Sequence, residues 1–406
     1  MLDTMGLLSR LPRGRQVAMD DQELGSRIAY WRERRGMTQR LLADRIGRSK
    51  SWIEKVEAGK RSANRLPTLQ TVCEELRIDL PVLIGRDLTR DTRECIDDVQ
   101  VEMIRAALER YDTIRINIPD DFQADSSRLR RQVSYVWSAF GMSDYQTVSR
   151  TLPALLLDAQ RSYVSEERED VAHILTEIYQ VTASTLRKLG EYDLAWLAGD
   201  RGISLAERVG DVVLTALTGF RVANALTAIG RAEAAYGLNM SLATRLEATL
   251  NTEADLSVYG NQLLQAAMAA ASKGDAGVVR DLISEATSVA SRVPDRSNHY
   301  RLSFGPANVG IHHVSALVSL GEGGLAVEAS SRLDPSALAF LRRERRANHL
   351  VDVARGYSQW GMRDKSLEML LEAETLAPRE VTCRPLARNT IEDLIRRSRG
   401  VPTSSL

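Results

Sequence analysis

Cysteine, proline and aromatic residues are all scarce in this chain. Of 406 residues, 3 are Cys and 11 are Pro, and aromatics make up 5%. Cys73, Cys95 and Cys383 are odd in number and show no CxxC spacing, which argues against a disulfide framework and a zinc site. Cys73 falls on a predicted helix core position and reads as a small buried hydrophobe. Few prolines mean few interruptions, and few aromatics beside abundant Ala and Leu favour helix over sheet. No apolar run reaches membrane-spanning length, and MLDTMGLLSRLPRGRQ at the start is a poor signal peptide. A cytoplasmic, nucleoid-associated location without a membrane partner is expected. No Ser/His/Asp set, paired-carboxylate motif or Gly-rich phosphate loop stands out, so neither catalysis nor a cofactor is expected. His312 and His313 are adjacent and cannot share one helix face for a metal, so no metal site is expected either.

What is present is helical and unevenly charged. Hydrophobic residues make up 44%, enough for a core, and the length asks for two or three domains. Net charge is zero, yet residues 1–90 carry 18 Lys+Arg against 12 Asp+Glu, and the remainder 36 against 42. A basic head on an acidic body implies that only the head meets a polyanion. Arg outnumbers Lys 48 to 6, a bias read as genome composition as much as chemistry. Residues 1–20 read as a disordered basic arm, with Met19 as an alternative start.

Residues 21–87 form the head, with five short helices expected. Leu24, Ile28 and Trp31 recur at helix spacing until Gly36. Thr38 caps a second helix carrying Leu41, Leu42, Arg45 and Ile46, and Gly47 breaks it where a left-handed residue is wanted. Ser49 caps a third helix ending at Gly59, a fourth follows Pro67, and Leu80–Ile84 make a short fifth. Helix two, the Gly turn and helix three form a helix-turn-helix. Ile53 and Val56 fall on the buried face of helix three, and Lys50, Ser51, Glu54 and Lys55 on the opposite one. A helix fits the major groove of B-DNA and reads base edges with its N-terminal side chains.

The run GMTQRLLADRIGRSKSWIEKVEAGKR resembles the Cro/repressor-type (XRE) helix-turn-helix family over residues 24–85. The resemblance implies double-stranded operator DNA as partner and places Lys50, Ser51 and Lys55 at base-contacting positions. It puts Gln39, Ser49, Trp52, Lys60 and Arg61 at phosphates, and makes Arg32 and Glu57 an ion pair tying helix one to the end of helix three. Trp52 departs from the small polar residue usual there. It can touch the DNA backbone or wedge against helix one.

Residues 88–125 read as a linker. DTRECIDDVQVEMIRAALERY is a periodic helix that either acts as a lever between domains or caps the next one, and an exposed loop follows around Pro119. Residues 126–400 repeat one phrase six times: helix, Gly, short polar stretch, helix. The phrases are FGMSDYQ, LGEYDLA, IGRAEAA, KGDAGVV, LGEGGLA and WGMRDKS, with glycines Gly141, Gly190, Gly230, Gly274, Gly321 and Gly361 spaced 40 to 49 residues apart. Small residues recur seven before and five after most of these glycines, which lets two antiparallel helices pack closely. Residues 401–406 are a tail.

This pattern resembles the tetratricopeptide repeat, with longer helices. The fold class is therefore all-α: a helix-turn-helix head and an α-solenoid of about six hairpins. The resemblance puts groove-facing positions 13, 10, 6 and 3 residues before each turn Gly. Gln180, Arg187, Phe220, Asn224, Asn261, Met268, Asn308, Asn348 and Arg355 fall there and form the candidate ligand groove. The Asn amides suit the backbone of an extended peptide; alternatively Asn261, Asn308 and Asn348 cap helix starts. The whole resembles peptide-pheromone-sensing regulators and actinobacterial regulators of development and secondary metabolism. It implies a homodimeric transcription regulator, not an enzyme, sensing a peptide. The alternatives are a small hydrophobic signal, or a scaffold that docks another regulatory protein.

Overall fold

The structure is a computed structural model that describes residues 21–61, 63, 66–76, 98–109 and 125–398. It divides into two units, Met1–Glu94 and Cys95–Leu406. The expected basic arm, fifth head helix, loop around Pro119 and C-terminal tail lie outside the described residues. Among those described there are helices and no strand, as the composition implies, and none is long and apolar enough to cross a membrane.

In the first unit, α1 (Asp21–Arg34), α2 (Gln39–Arg45), α3 (Lys50–Glu57) and α4 (Leu66–Leu76) enclose a small core of Leu24, Ile28, Leu42, Ile53, Val56 and Leu76. At 7 and 8 residues, α2 and α3 are too short to hold alone. Caps and burial hold them. Thr38 Oγ1 accepts from the Leu41 amide at 3.1 Å, and Ser49 Oγ from the Trp52 amide at 3.2 Å. Gly47 stands at φ 65°, and the Arg48 amide reaches back to the Ala43 carbonyl at 2.9 Å. This is the Schellman turn that sets α3 at an angle to α2.

The second unit opens with α5 (Asp98–Leu108), whose Ile104, Ala107 and Leu108 are buried in that unit's core. Ser149 Oγ donates to Gln100 Oε1 at 2.8 Å. Of the two readings left open for this helix, its packing is that of a cap.

Six hairpins follow: α6 (Ser126–Gly141) with α7 (Tyr145–Glu166), α8 (Glu169–Leu189) with α9 (Tyr192–Val209), and α10 (Val212–Ala228) with α11 (Ala232–Glu247). Then come α12 (Glu253–Ser272) with α13 (Ala276–Ala290), α14 (Pro306–Ser319) with α15 (Gly323–Ser331), and α17 (Arg343–Gln359) with α18 (Arg363–Leu376). A short α16 (Pro335–Leu338) precedes the last pair, and α19 (Pro378–Thr382) and α20 (Pro385–Ser398) follow it. The columns of small residues do close the hairpins: Ala183, Ala223, Ala267 and Ala354 are buried, as are Ala195, Ala235 and Ala326.

Five of the six turn glycines adopt the left-handed conformation, with φ from 81° to 86°. In each, the amide of the residue after the glycine bonds back to the last turn, as from Arg231 to Leu226 at 2.8 Å. The first hairpin corrects the sequence register. There Ser143 takes the left-handed place at φ 61°, and the Asp144 amide bonds Ala139 at 2.9 Å. Counted from Ser143, the small-residue columns fall on Val136 and Val148, both fully buried, rather than on exposed Ser134 and half-buried Gln146. Gly141 answers to a different need: a Cβ there would stand 3.3 Å from Arg342 Nη1. Terminal repeats of solenoids commonly depart from the pattern in this way.

Cys73 is buried in the head's core as expected, whereas Cys383 is disulfide-bonded, which corrects the expectation that the odd, unspaced cysteines carry no disulfide.

Candidate functional site

Two surfaces carry chemistry. The first is the outer face of α3 in the head. Lys50, Ser51 and Lys55 are exposed there, with Lys60 and Arg61 just beyond the helix end. Lys50 Nζ lies 3.0 Å from Glu54, one turn on. The inner side is braced by a polar knot. Arg32 Nε and Nη2 meet the two carboxylate oxygens of Glu57 at 2.6 and 3.0 Å, a fork-to-fork pair. Gln39 Nε2 donates to Glu57 Oε2 at 2.8 Å, and Arg32 Nη1 to the Met37 carbonyl at 2.9 Å. The knot fixes α1, the start of α2 and the end of α3 as one body. Glu57 raises the Arg32 guanidinium further above its ordinary range.

Trp52, expected at a phosphate, is 9% exposed and belongs to the core. It precedes Ile53 on the inward edge of α3, and its large apolar ring gains more from burial than from water. Exposed Arg48 lies over that ring, 5.5 Å from its centroid. The sequence reading passed over Arg48. Its spacing from Trp52, one helical turn, is the signal that could have flagged it.

The second surface is a cavity of about 610 Å³ in the body, lined by residues of the first helix of all six hairpins. Of the expected groove residues, Arg187, Phe220, Asn224, Asn261, Met268, Asn348 and Arg355 line it. Gln180 and Asn308 do not. Gln180 is buried between helices, donating to Thr218 Oγ1 at 2.9 Å, and Asn308 is fully buried, accepting from Arg345 Nη1 at 2.7 Å. Both positions rotate into the packing between neighbouring repeats, where longer helices meet. Nor is Asn348 free, since its amide joins Arg384 and Glu344.

The row of hairpins closes on itself around this cavity. Lys188 of α8 pairs with Glu344 at the start of α17 and, at 3.0 Å, with Glu380 of α19. Glu380 also accepts from Tyr145 and, at 3.2 Å, from Ser143 Oγ. Arg301 reaches Glu177 of α8 at 2.6 Å. Burial alone would push Glu344 up, but Lys188 and then Arg345 outweigh it and hold the carboxyl at about 2. Burial, with Glu380 beside it, pushes the Tyr145 hydroxyl well above its ordinary value.

The lining is cationic. Seven arginines and Lys188 face the cavity against two carboxylates, Glu344 and Asp352. Sequence reasoning missed most of these residues, among them Arg221, Arg342, Arg345 and Arg384. Arg221 is 7% exposed and stacked by Phe220 at 4.3 Å and Trp137 at 5.3 Å; burial brings it down to about 9, still charged at neutral pH. His312 also lines the cavity, and burial, then Arg345, hold it down at about 4. Among the described residues, no group of His, Cys, Asp or Glu could hold a metal ion.

A helix-turn-helix head and a body of helical hairpins thus define the class. Residues 23–81 match the family model described as a helix-turn-helix domain, a DNA-binding module. No curated protein matches the chain. Among solved structures, the chain is similar to Bacillus thuringiensis PlcR in complex with the peptide PapR7 and DNA, at 16% identity, covering 87% of this chain and 99% of that one, with a TM-score of 0.32. It is also similar to the apo competence regulator ComR from Streptococcus vestibularis, at 14% identity, covering 82% and 98%, with a TM-score of 0.28. Likenesses this weak carry no functional argument.

Proposed function

We propose that the chain is a sequence-specific DNA-binding transcription regulator whose body senses a ligand in the cavity. The observation that carries the reading is the α3 face. Its cations Lys50 and Lys55 and the hydroxyl of Ser51 point outward from a helix capped by Ser49 and locked by the Arg32–Glu57–Gln39 knot. Preorganised, water-facing donors on a short helix suit base edges in the major groove, while Gln39, Arg48, Lys60 and Arg61 flank it for phosphates. A homodimer on two half-sites, each roughly one helical turn from the other, follows the usual geometry of this motif. Ligand control requires the ligand to favour one state of the body over another. The charged lining does not suit a purely hydrophobic signal.

Selection of bound sequences from a random DNA pool, followed by footprinting, tests the reading. Lys50→Ala is expected to weaken the selected site by about ten- to a hundredfold and to relax sequence choice at one or two positions, with the fold intact. Unchanged footprints would remove α3 as the reading helix, and failure to enrich any sequence would overturn the regulator itself.

A further inference from the structure

We propose that the body cavity is a binding site for a small organic anion of two or more negative charges, a phosphate ester or a polycarboxylate. The proposal rests on the sensing role suggested for the same cavity and gives its ligand a chemistry.

The charge balance of the wall is the first ground. The eight lining cations meet Glu344 and Asp352 in the wall and Glu380 and Glu177 just behind it. Those carboxylates are taken: Lys188 holds Glu344 and Glu380, Arg384 lies 3.8 Å from Glu380, Arg301 holds Glu177 and Arg355 holds Asp352. Arg187, Arg221, Arg342 and Arg345 make no ion pair within 4.0 Å among the described residues; Glu344 acts on Arg187, Arg342 and Arg345, and Glu177 on Arg221, only from farther off. The side-chain hydrogen bond of Arg345 goes to the neutral amide of Asn308, and Arg221 meets Ser184 Oγ at 3.1 Å, a carbonyl of its own helix and two aromatic faces. Buried Arg221 and half-buried Arg187, Arg342 and Arg345 around one cavity repel one another, and charge withdrawn from water is normally paired. Burial, with neighbouring arginines adding to it for Arg187 and Arg342, lowers both below their ordinary range.

Unmet hydrogen-bonding capacity is the second ground and is independent of charge. Asn261 is 2% exposed, lines the cavity, and its Nδ2 has no partner. His349 is 7% exposed, lines the same space, and its Nδ1 has none either. A donor without an acceptor beside four cations that lack a close carboxylate asks for an oxygen-rich anion. Guanidinium forks match phosphate and carboxylate in plane and spacing. Trp137, Phe140 and Phe220 on one wall offer flat apolar surface to the ligand's organic part. A volume of about 610 Å³ is that of a small-molecule pocket.

The test uses the full chain without DNA, at fixed ionic strength set with potassium chloride. Pyrophosphate, adenosine 5′-monophosphate and citrate are titrated calorimetrically and by thermal unfolding, with adenosine as the neutral control. At least one anion is expected to bind saturably and to raise the melting temperature by several degrees, and adenosine to do neither. A phosphate and citrate response ranks the two sources of charge. Arg187→Gln and Arg345→Gln are each expected to weaken binding about tenfold or more. Without ligand, these variants should melt at or above the parent, because a repelling charge has gone; Arg187→Lys should keep part of the affinity. No anion response beyond chloride, or Gln variants that bind as the parent does, would overturn the site. Variants that melt well below the parent would do the same, by revealing a structural partner for the arginine. Anion binding that leaves affinity for the selected DNA unchanged keeps the site and rejects sensing.

Discussion

The head and the body both collect positive charge, and they treat it in opposite ways. In the head, the cations assigned to DNA stand in water on α3 and just past its end, while the buried guanidinium of Arg32 is matched by Glu57. In the body, the eight cations of the cavity are turned inward, and four of them make no ion pair within 4.0 Å among the described residues. Exposed charge costs little to keep and acts on a polyanion through a salt-screened field. Enclosed charge is costly to keep unless something balances it, and it acts at short range on whatever fits. Binding of DNA by the head should therefore fall steeply with salt, and binding of an anion by the body much less so. A protein that used both surfaces for nucleic acid would show one salt dependence.

The comparison breaks most sharply at the carboxylates that hold each unit together. Glu380 is fully buried and receives Lys188, Tyr145 and Ser143 from distant parts of the body. Glu380→Ala strands Lys188 beside an already cationic cavity and is expected to destabilise the body by about 3–5 kcal/mol. Urea unfolding followed by circular dichroism, with the head's own transition as internal reference, checks this; a loss below about 1 kcal/mol would show that water replaces the carboxylate. The matching change in the head, Glu57→Ala, strands a guanidinium that keeps Glu33 at 3.2 Å and the Met37 carbonyl. A smaller loss of about 2–3 kcal/mol is expected there. It should be accompanied by weaker binding to the selected DNA, since α3 loses its anchor.

The parts of this structure that were legible beforehand were those set by backbone geometry. A left-handed turn needs Gly, so five of six repeats announced themselves, and caps such as Thr38 and Ser49 stood where helices had to begin. The first repeat misled because two requirements for a small residue lie two positions apart. Gly141 makes room for Arg342, while Ser143 makes the turn and spends its hydroxyl on Glu380. The site was legible only in outline. Offsets from the turn glycines pointed at the cavity wall through Asn224, Asn261 and Arg187, but not at its charge. With 48 arginines in the chain, one more Arg carries no local signal. Arg301 comes from the 3₁₀ turn His299–Arg301 between repeats and Arg384 from beyond the last, so no repeat register predicts them. Burial of Trp52 was likewise a matter of which edge of α3 faces α1, a rotation of one position that periodicity over 8 residues leaves loose.

The smallest contrast concerns protons. All five histidines belong to the body and none to residues 1–94. His312 faces Arg345 across the cavity, with Gln265 Nε2 3.4 Å from its Nε2 and the Asn308 carbonyl 2.8 Å from its Nδ1. Its folded value of about 4 lies below its ordinary 6.5. Between those values the unfolded chain binds the proton and the folded one does not. The contribution of His312 to the stability of the body is then complete above about pH 6.5 and is lost as pH falls toward 4. Glu344, depressed from 4.5 to about 2, adds its loss only below about pH 4.5, so the interval from 6.5 to 5 belongs to histidine. A decline of about 1 kcal/mol is expected there for the body, since the imidazole borders a wet cavity, and almost none for the head. His312→Gln should flatten the slope in part, since burial lowers His313 and His349 as well. A bound anion should also flatten it, because negative charge near His312 raises its affinity for a proton and moves the folded value back toward the unfolded one. Unfolding curves at pH 6.5 and pH 5, with and without pyrophosphate, give the comparison directly; an anion that steepens the slope would place its charge away from His312 and Arg345.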